Sequence, residues 1–151
     1  MAMPKNEEEW KEFWKKKYAK QLEYAKRRQN RDAAKHQESS RYYLNTIRFS
    51  NRSGSHVGCF RYWKGNTPEH EFTKFLVYSI LVEEGYEVIV EPIFEGTNRR
   101  ADLIDLSRGI IFEVLGSETL EEAKEKVKNY PPCFEVRFID ANKPLNISDL
   151  L

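Results

Sequence analysis

The stretch that most constrains the fold is RRADLIDLSRGIIFEVL, residues 99–115: two short apolar runs on either side of Ser107-Arg108-Gly109. Runs of this length, rich in Ile, Leu, Val and Phe and separated by turn residues, predict a β-hairpin. With Ser107 and Arg108 as a two-residue loop, Leu106 faces Gly109 and the numbers of every cross-strand pair sum to 215. That register sets Asp102 directly opposite Glu113. Side chains paired across an antiparallel ladder have Cβ atoms about 4.5–5.5 Å apart, so the two carboxylates share a face and repel unless a cation lies between them. Glu113 also falls between Phe112 and Val114 in the run IIFEVL, a costly place for an unpartnered charge.

The net charge of +1 conceals a division. Residues 1–65 carry 16 Lys and Arg against 7 Asp and Glu, whereas residues 66–151 carry 9 against 17. We therefore expect a basic helical arm and connector (1–65) followed by an acidic core domain (66–151). A basic arm attracts a polyanion, and an acidic body suits a carboxylate site that takes up divalent cations. The plainer reading is that the arm docks on its own acidic body. Two cysteines without CxxC spacing argue against a disulfide framework or a Cys-based zinc site. No apolar run approaches the roughly 18–20 residues of a membrane span, and the N-terminus lacks the apolar region of a secretory signal. The expectation is an intracellular, cytoplasmic protein with no membrane partner.

From Asn6 to about Ser39 there is no Pro or Gly, which predicts a long helix. Trp10, Trp14 and Tyr18 recur every four residues, with Phe13, Leu22 and Ala25 near the same stripe. That face would pack on the body, on a second copy in a homodimer, or on nucleic-acid bases, packing being the commoner use of such a stripe. Lys15, Lys16, Lys17, Lys20, Arg27, Arg28 and Arg31 are the candidate contacts to phosphate. The connector is read with a strand at 42–49, a loop at 50–58 and an extended piece at 59–63, its Arg residues interleaved with Tyr, Phe and Trp.

Thr67-Pro68 opens a helix as N-cap and first helical residue, and Gly85 closes it. Its expected apolar stripe is Phe72, Phe75, Leu76, Ser79, Ile80 and Val82. Residues 86–94 read as a strand, with Val88 and Val90 on one face and Ile89 and Glu91 on the other. Glu91 either faces water at the strand end or points into a site. After the hairpin, Thr119 caps a helix over about 120–129, Pro131-Pro132 stops it, and 134–139 form a last strand. The core is thus α/β (α+β), αβββαβ, with a mixed sheet flanked by helices.

Asp102 and Glu113, with the main-chain carbonyl after Glu113, make a hard-oxygen site suited to Mg2+ or Mn2+. Helix, strand with Glu91, Asp102 at the start of one strand and Glu113 in the next resemble the core of the PD-(D/E)XK nuclease superfamily, over about Thr67 to Asp140. Within it the chain is similar to CoiA-like competence nucleases and related archaeal proteins. Their helix carries a His-x-x-x-Lys pattern, here His70 and Lys74, followed by a strand Glu and an Arg-x-Asp run, here Arg100-Ala101-Asp102. Archaeal Holliday-junction resolvases place a Glu on the first helix, for which Glu71 is the best candidate and Glu69 the second. The resemblance implies a restriction-endonuclease-like fold and a metal-dependent deoxyribonuclease, endonuclease and/or exonuclease. Asp102 and Glu113 would bind the metal, and Glu91, Glu71, His70, Lys74 and Arg100 would complete the catalytic set. One departure stands out: the superfamily's Lys belongs two residues after the Glu, where this chain has Leu115. Lys74, Arg100 or Lys124 would replace it, Lys74 being the first choice. The rival readings are a catalytically silent nucleic-acid-binding protein on the same fold and a self-associating interaction protein.

Overall fold

The computed structural model describes residues 4–17, 19, 39–51 and 53–151. The chain divides into two compact units, residues 1–34 and 35–151. In the first, α1 (7–17) stacks Trp10 on Trp14, with ring centroids 6.2 Å apart, and sets Phe13 edge-on to both. Lys15, Lys16 and Lys17 are exposed on it. Lys20, Arg27, Arg28 and Arg31, and the expected helix beyond residue 19, lie outside the described residues.

In the second unit the first described residues, 39–44, are helical, overlapping the strand expected over 42–49. Aromatic β propensity yields there to tertiary packing: the Tyr43 ring lies 5.2 Å from that of Phe134, and a Cβ at Gly109 would run into it. Among its described residues the rest of the connector is irregular apart from a 3-10 turn, Ser53–Ser55. It is fastened to the sheet by an Ile47–Phe94 bridge and by main-chain bonds from Arg48 N to Ile93 O and Gly58 N to Val88 O.

Helix α2 (Pro68–Glu83) starts where expected, the Thr67 hydroxyl accepting from His70 N. It ends in a Schellman motif: Tyr86 N donates to Leu81 O and Gly85 N to Val82 O, with Gly85 at φ 88°. The buried face is not the expected stripe. Glu71, Thr73, Lys74, Val77 and Leu81 turn inward, while Phe72, Phe75 and Val82 are exposed. Apolar residues lie all round this helix, so burial was decided by what faces it rather than by period.

Strands β1 (Val88–Val90), β2 (Leu103–Asp105), β3 (Ile110–Leu115) and β4 (Glu135–Asp140) form one mixed sheet in that order. The first two pairings are antiparallel; β3 and β4 run parallel, joined through α3 (Leu120–Val127), whose N-terminus carries a Thr119–Glu122 capping box. Val88, Val90, Leu103, Phe112 and Val114 pack with Val77 and Leu81 of α2; Ile89, Ile104 and Ile111 face Phe94, Tyr130 and Phe134 on the other side.

The hairpin register is as expected, with 103↔112, 104↔111 and 105↔110 all summing to 215. The connection is longer than expected: Leu106 to Gly109 form a four-residue turn closed by Gly109 N to Asp105 O, with Gly109 at φ 70°. Asp105, fully buried, accepts from Ser107 N, Arg108 N and Arg108 Nε, and the Arg108 guanidinium also donates to the carbonyl of Leu150, itself a core residue. No helix among the described residues is long and apolar enough to cross a membrane.

Candidate active site

The open end of the hairpin gathers the acids. Asp102 precedes β2, and its carbonyl accepts from Glu91 N at 2.9 Å. Its Oδ2 accepts from Val114 N at 2.8 Å, so the carboxylate takes the main-chain donor just past the ladder, beside Glu113 on β3. Nε2 of His70, on the first turn of α2, lies 3.5 Å from the same oxygen. Glu113 is 1 % exposed. It accepts from the Tyr130 hydroxyl at 2.7 Å and has Lys126 Nζ at 3.6 Å. The Tyr130 hydroxyl lies also 3.1 Å from the carbonyl of Arg100, which links the segment after α3 to the segment that leads through Asp102 into β2.

The electrostatics separate the two carboxylates. Burial, followed by the charge of Asp102, pushes Glu113 up to about 8, against the pull of Lys126 and Tyr130. Burial pushes Asp102 up as well, but the bond and charge of His70, the Val114 N–H and Lys126 outweigh it and hold the carboxyl below its ordinary value. His70 is raised in turn: burial disfavours its charge, and Asp102 with Glu71 more than restores it. Lys126 follows the same pattern, burial being outweighed by Glu113 and Asp102. Tyr130 is raised by burial and by Glu113, so its hydroxyl stays a donor.

A second, drier cluster abuts the first. Lys74 is fully buried, with Nζ 2.6 Å from Glu71 Oε2 and 2.9 Å from Glu91 Oε1. Asn66 Nδ2 donates to Glu71 at 2.8 Å, and Arg100 Nε lies 3.8 Å from Glu91. Glu91 sits at the end of β1, neither facing water nor sharing the face of Ile89. At φ 55° its chain turns so that the carboxylate meets α2, the helix covering Val88 and Val90. Burial raises Glu91, Lys74 pulling the other way.

The structure thus brings Asp102, Glu113, Glu91, Glu71, His70, Lys74 and Arg100 into one connected network. Glu69 is exposed and outside it. The continuous pairing that would set Arg100 against Leu115 does not extend that far: Arg100 bridges Ile93, and Leu115 pairs with Asp140 of β4. Lys124 lines a separate groove of about 570 Å3 past Leu115 and Gly116. Lys126 and Tyr130 were not legible as site residues. Lys126 lies in the last turn of α3 and Tyr130 beyond its end, so no helical spacing joins the two in the sequence.

Among the described residues no group of three or more His, Cys, Asp or Glu is arranged to hold a metal ion. Mg2+ does not require one, since it commonly binds through one or two carboxylates, keeping its waters and taking substrate phosphate oxygens. Asp102 and Glu113, two hard-oxygen donors whose mutual repulsion a cation would relieve, fit that mode. No protein-family profile, curated protein or solved structure matches the chain.

Proposed function

We propose that the protein is a metal-dependent nuclease hydrolysing phosphodiester bonds of DNA, with Asp102 and Glu113 holding Mg2+ or Mn2+. The observation that carries this reading is the Glu113 carboxyl, buried against Asp102 and raised to about 8, with a half-exposed Lys126 ammonium 3.6 Å away. When bound, a divalent cation polarises the scissile phosphate and acidifies the water on it. Lys126 supplies the positive charge that Leu115 leaves out of the usual position, offsetting charge that develops on the phosphate. Tyr130 orients Glu113, and His70 holds Asp102 ionised. Lys74, neutralised by Glu71 and Glu91, fixes the geometry of α2 against β1 rather than meeting substrate. Lys15, Lys16 and Lys17 on the arm attract the backbone.

The test is Mg2+-dependent cleavage of supercoiled plasmid and linear DNA by the full chain, with Glu113→Gln as control. Cleavage that disappears in EDTA and in the variant supports the assignment; cleavage that survives Glu113→Gln refutes it. The alternative is a silent nucleic-acid-binding protein. It is favoured by the ready partnering of Glu113 with Tyr130 and Lys126, and predicts DNA binding with no metal-dependent cutting.

A further inference from the structure

Next to the acids stands an aromatic side chain that the proposed chemistry does not use. Trp63 is 40 % exposed, and its neighbour Tyr62 is 56 % exposed. The guanidinium groups of Arg61 and Arg100 lie 5.2 Å and 5.5 Å from the Trp63 ring centroid. Behind the ring is Gly65, where an added Cβ would strike the indole nitrogen, so the close seat of the ring on the chain requires glycine. Two links tie this turn to the network: Asn66, whose N–H donates to the Trp63 carbonyl and whose side chain donates to Glu71, and Arg100, which also faces Glu91. Arg61 further shares with Arg48 a small cleft over Glu91. A partly exposed indole with guanidinium groups over its ring, one of which also reaches the site, combines the two elements that bind a nucleotide, an aromatic ring for the base and cations for the phosphate.

We propose that Trp63, flanked by Arg61 and Arg100, is a stacking platform for an unpaired base, so that the site takes nucleic acid with a single-stranded segment. A base inside a duplex has both faces covered by its neighbours and cannot stack on an indole without leaving the helix. Cleavage of the nucleic acid held there rests on the nuclease reading; the stacking itself does not.

Trp63 can report on this directly, since Trp10 and Trp14 are the only other tryptophans. In EDTA, the full chain carrying Trp10→Phe and Trp14→Phe is titrated with an oligothymidylate about ten nucleotides long and with a duplex of similar length. The expected result is quenching of Trp63 emission by the oligomer and not by the duplex. Trp63→Ala in the wild-type background should weaken oligomer binding about tenfold, Trp63→Phe restoring most of it, with duplex binding unchanged. Absence of quenching by the oligomer, equal quenching by the duplex, or full oligomer affinity in a folded Trp63→Ala protein would overturn the proposal. Because no turnover is needed, quenching in a chain that never cuts DNA upholds the platform while refuting catalysis, and cutting without quenching does the reverse.

Discussion

Replacing Glu113 by Gln removes a charge that the fold resists. The Glu113 carboxyl titrates at about 8 in the folded chain against 4.5 ordinarily, burial being the larger cause and Asp102 the next. Because the folded value is the higher one, its stability contribution is intact below pH 4.5 and is lost as pH rises through 8. Over that window the unfolded chain gives up the proton freely while the folded chain retains it. Integrated from 4.5 to pH 7, the loss is on the order of 3 kcal/mol. An amide cannot ionise in either state, so Glu113→Gln should escape it, less whatever its bonds to Tyr130 and Lys126 lose. At pH 7 the variant should unfold up to about 10 °C higher than the wild type. Thermal unfolding followed by circular dichroism from pH 4.5 to 8 reads this out: the difference in stability between the two proteins should widen steadily with pH. Groups such as Glu91 and Asp105, also raised by burial, titrate in both proteins and drop out of the difference. Mg2+ at pH 7 should stabilise the wild type and not the variant. A variant less stable than wild type at pH 7 would mean that Lys126 keeps Glu113 ionised, and the reasoning from burial would fail.

Lys126→Ala should lower cleavage about 10²–10³-fold with little change in unfolding, while Lys124→Ala, in its separate groove, should cut as wild type; plasmid nicking rates decide. At limiting Mg2+, cleavage should rise with pH toward about 8 as Glu113 loses its proton, and the midpoint should move lower as Mg2+ is raised, measurable in initial-rate pH profiles. Lys74→Met should destabilise the fold by about 3–5 kcal/mol in denaturant titrations, since Glu71 and Glu91 then remain buried without their cation. If the arm contacts phosphates, removing residues 1–34 should flatten the salt dependence of DNA affinity in fluorescence anisotropy; an unchanged slope would free the arm of that role.

What was legible in the sequence was local. The 215 register followed from two apolar runs about a turn, and a four-residue loop preserves that sum as well as a two-residue one. Both ends of α2 were marked by residues with a mechanical reason to be there, Thr67-Pro68 and Gly85. Its buried face was not legible, because Lys74 is drawn inward by Glu91, 17 residues away, and no periodicity carries that pairing. The same holds for Lys126 and Tyr130, which reach Glu113 only because the parallel crossover lays the end of α3 and the turn after it beside β3. The helical residues within 42–49 were not legible for a related reason: Tyr43 finds its place against Phe134, far downstream in the chain.

The clamp from Arg108 to the carbonyl of Leu150 has a consequence for local opening. The turn that sets the hairpin and the segment that plugs the core with Leu150 are held by one guanidinium, itself held by Asp105. Undocking residues 147–151 therefore also frees the turn, and the amides of Ser107 and Arg108, bonded to Asp105, should exchange hydrogen in step with those of Asp149 and Leu150. Two segments some forty residues apart would then behave as one cooperative unit, whose breathing sits at the closed end of the hairpin and leaves the carboxylates at its open end in register.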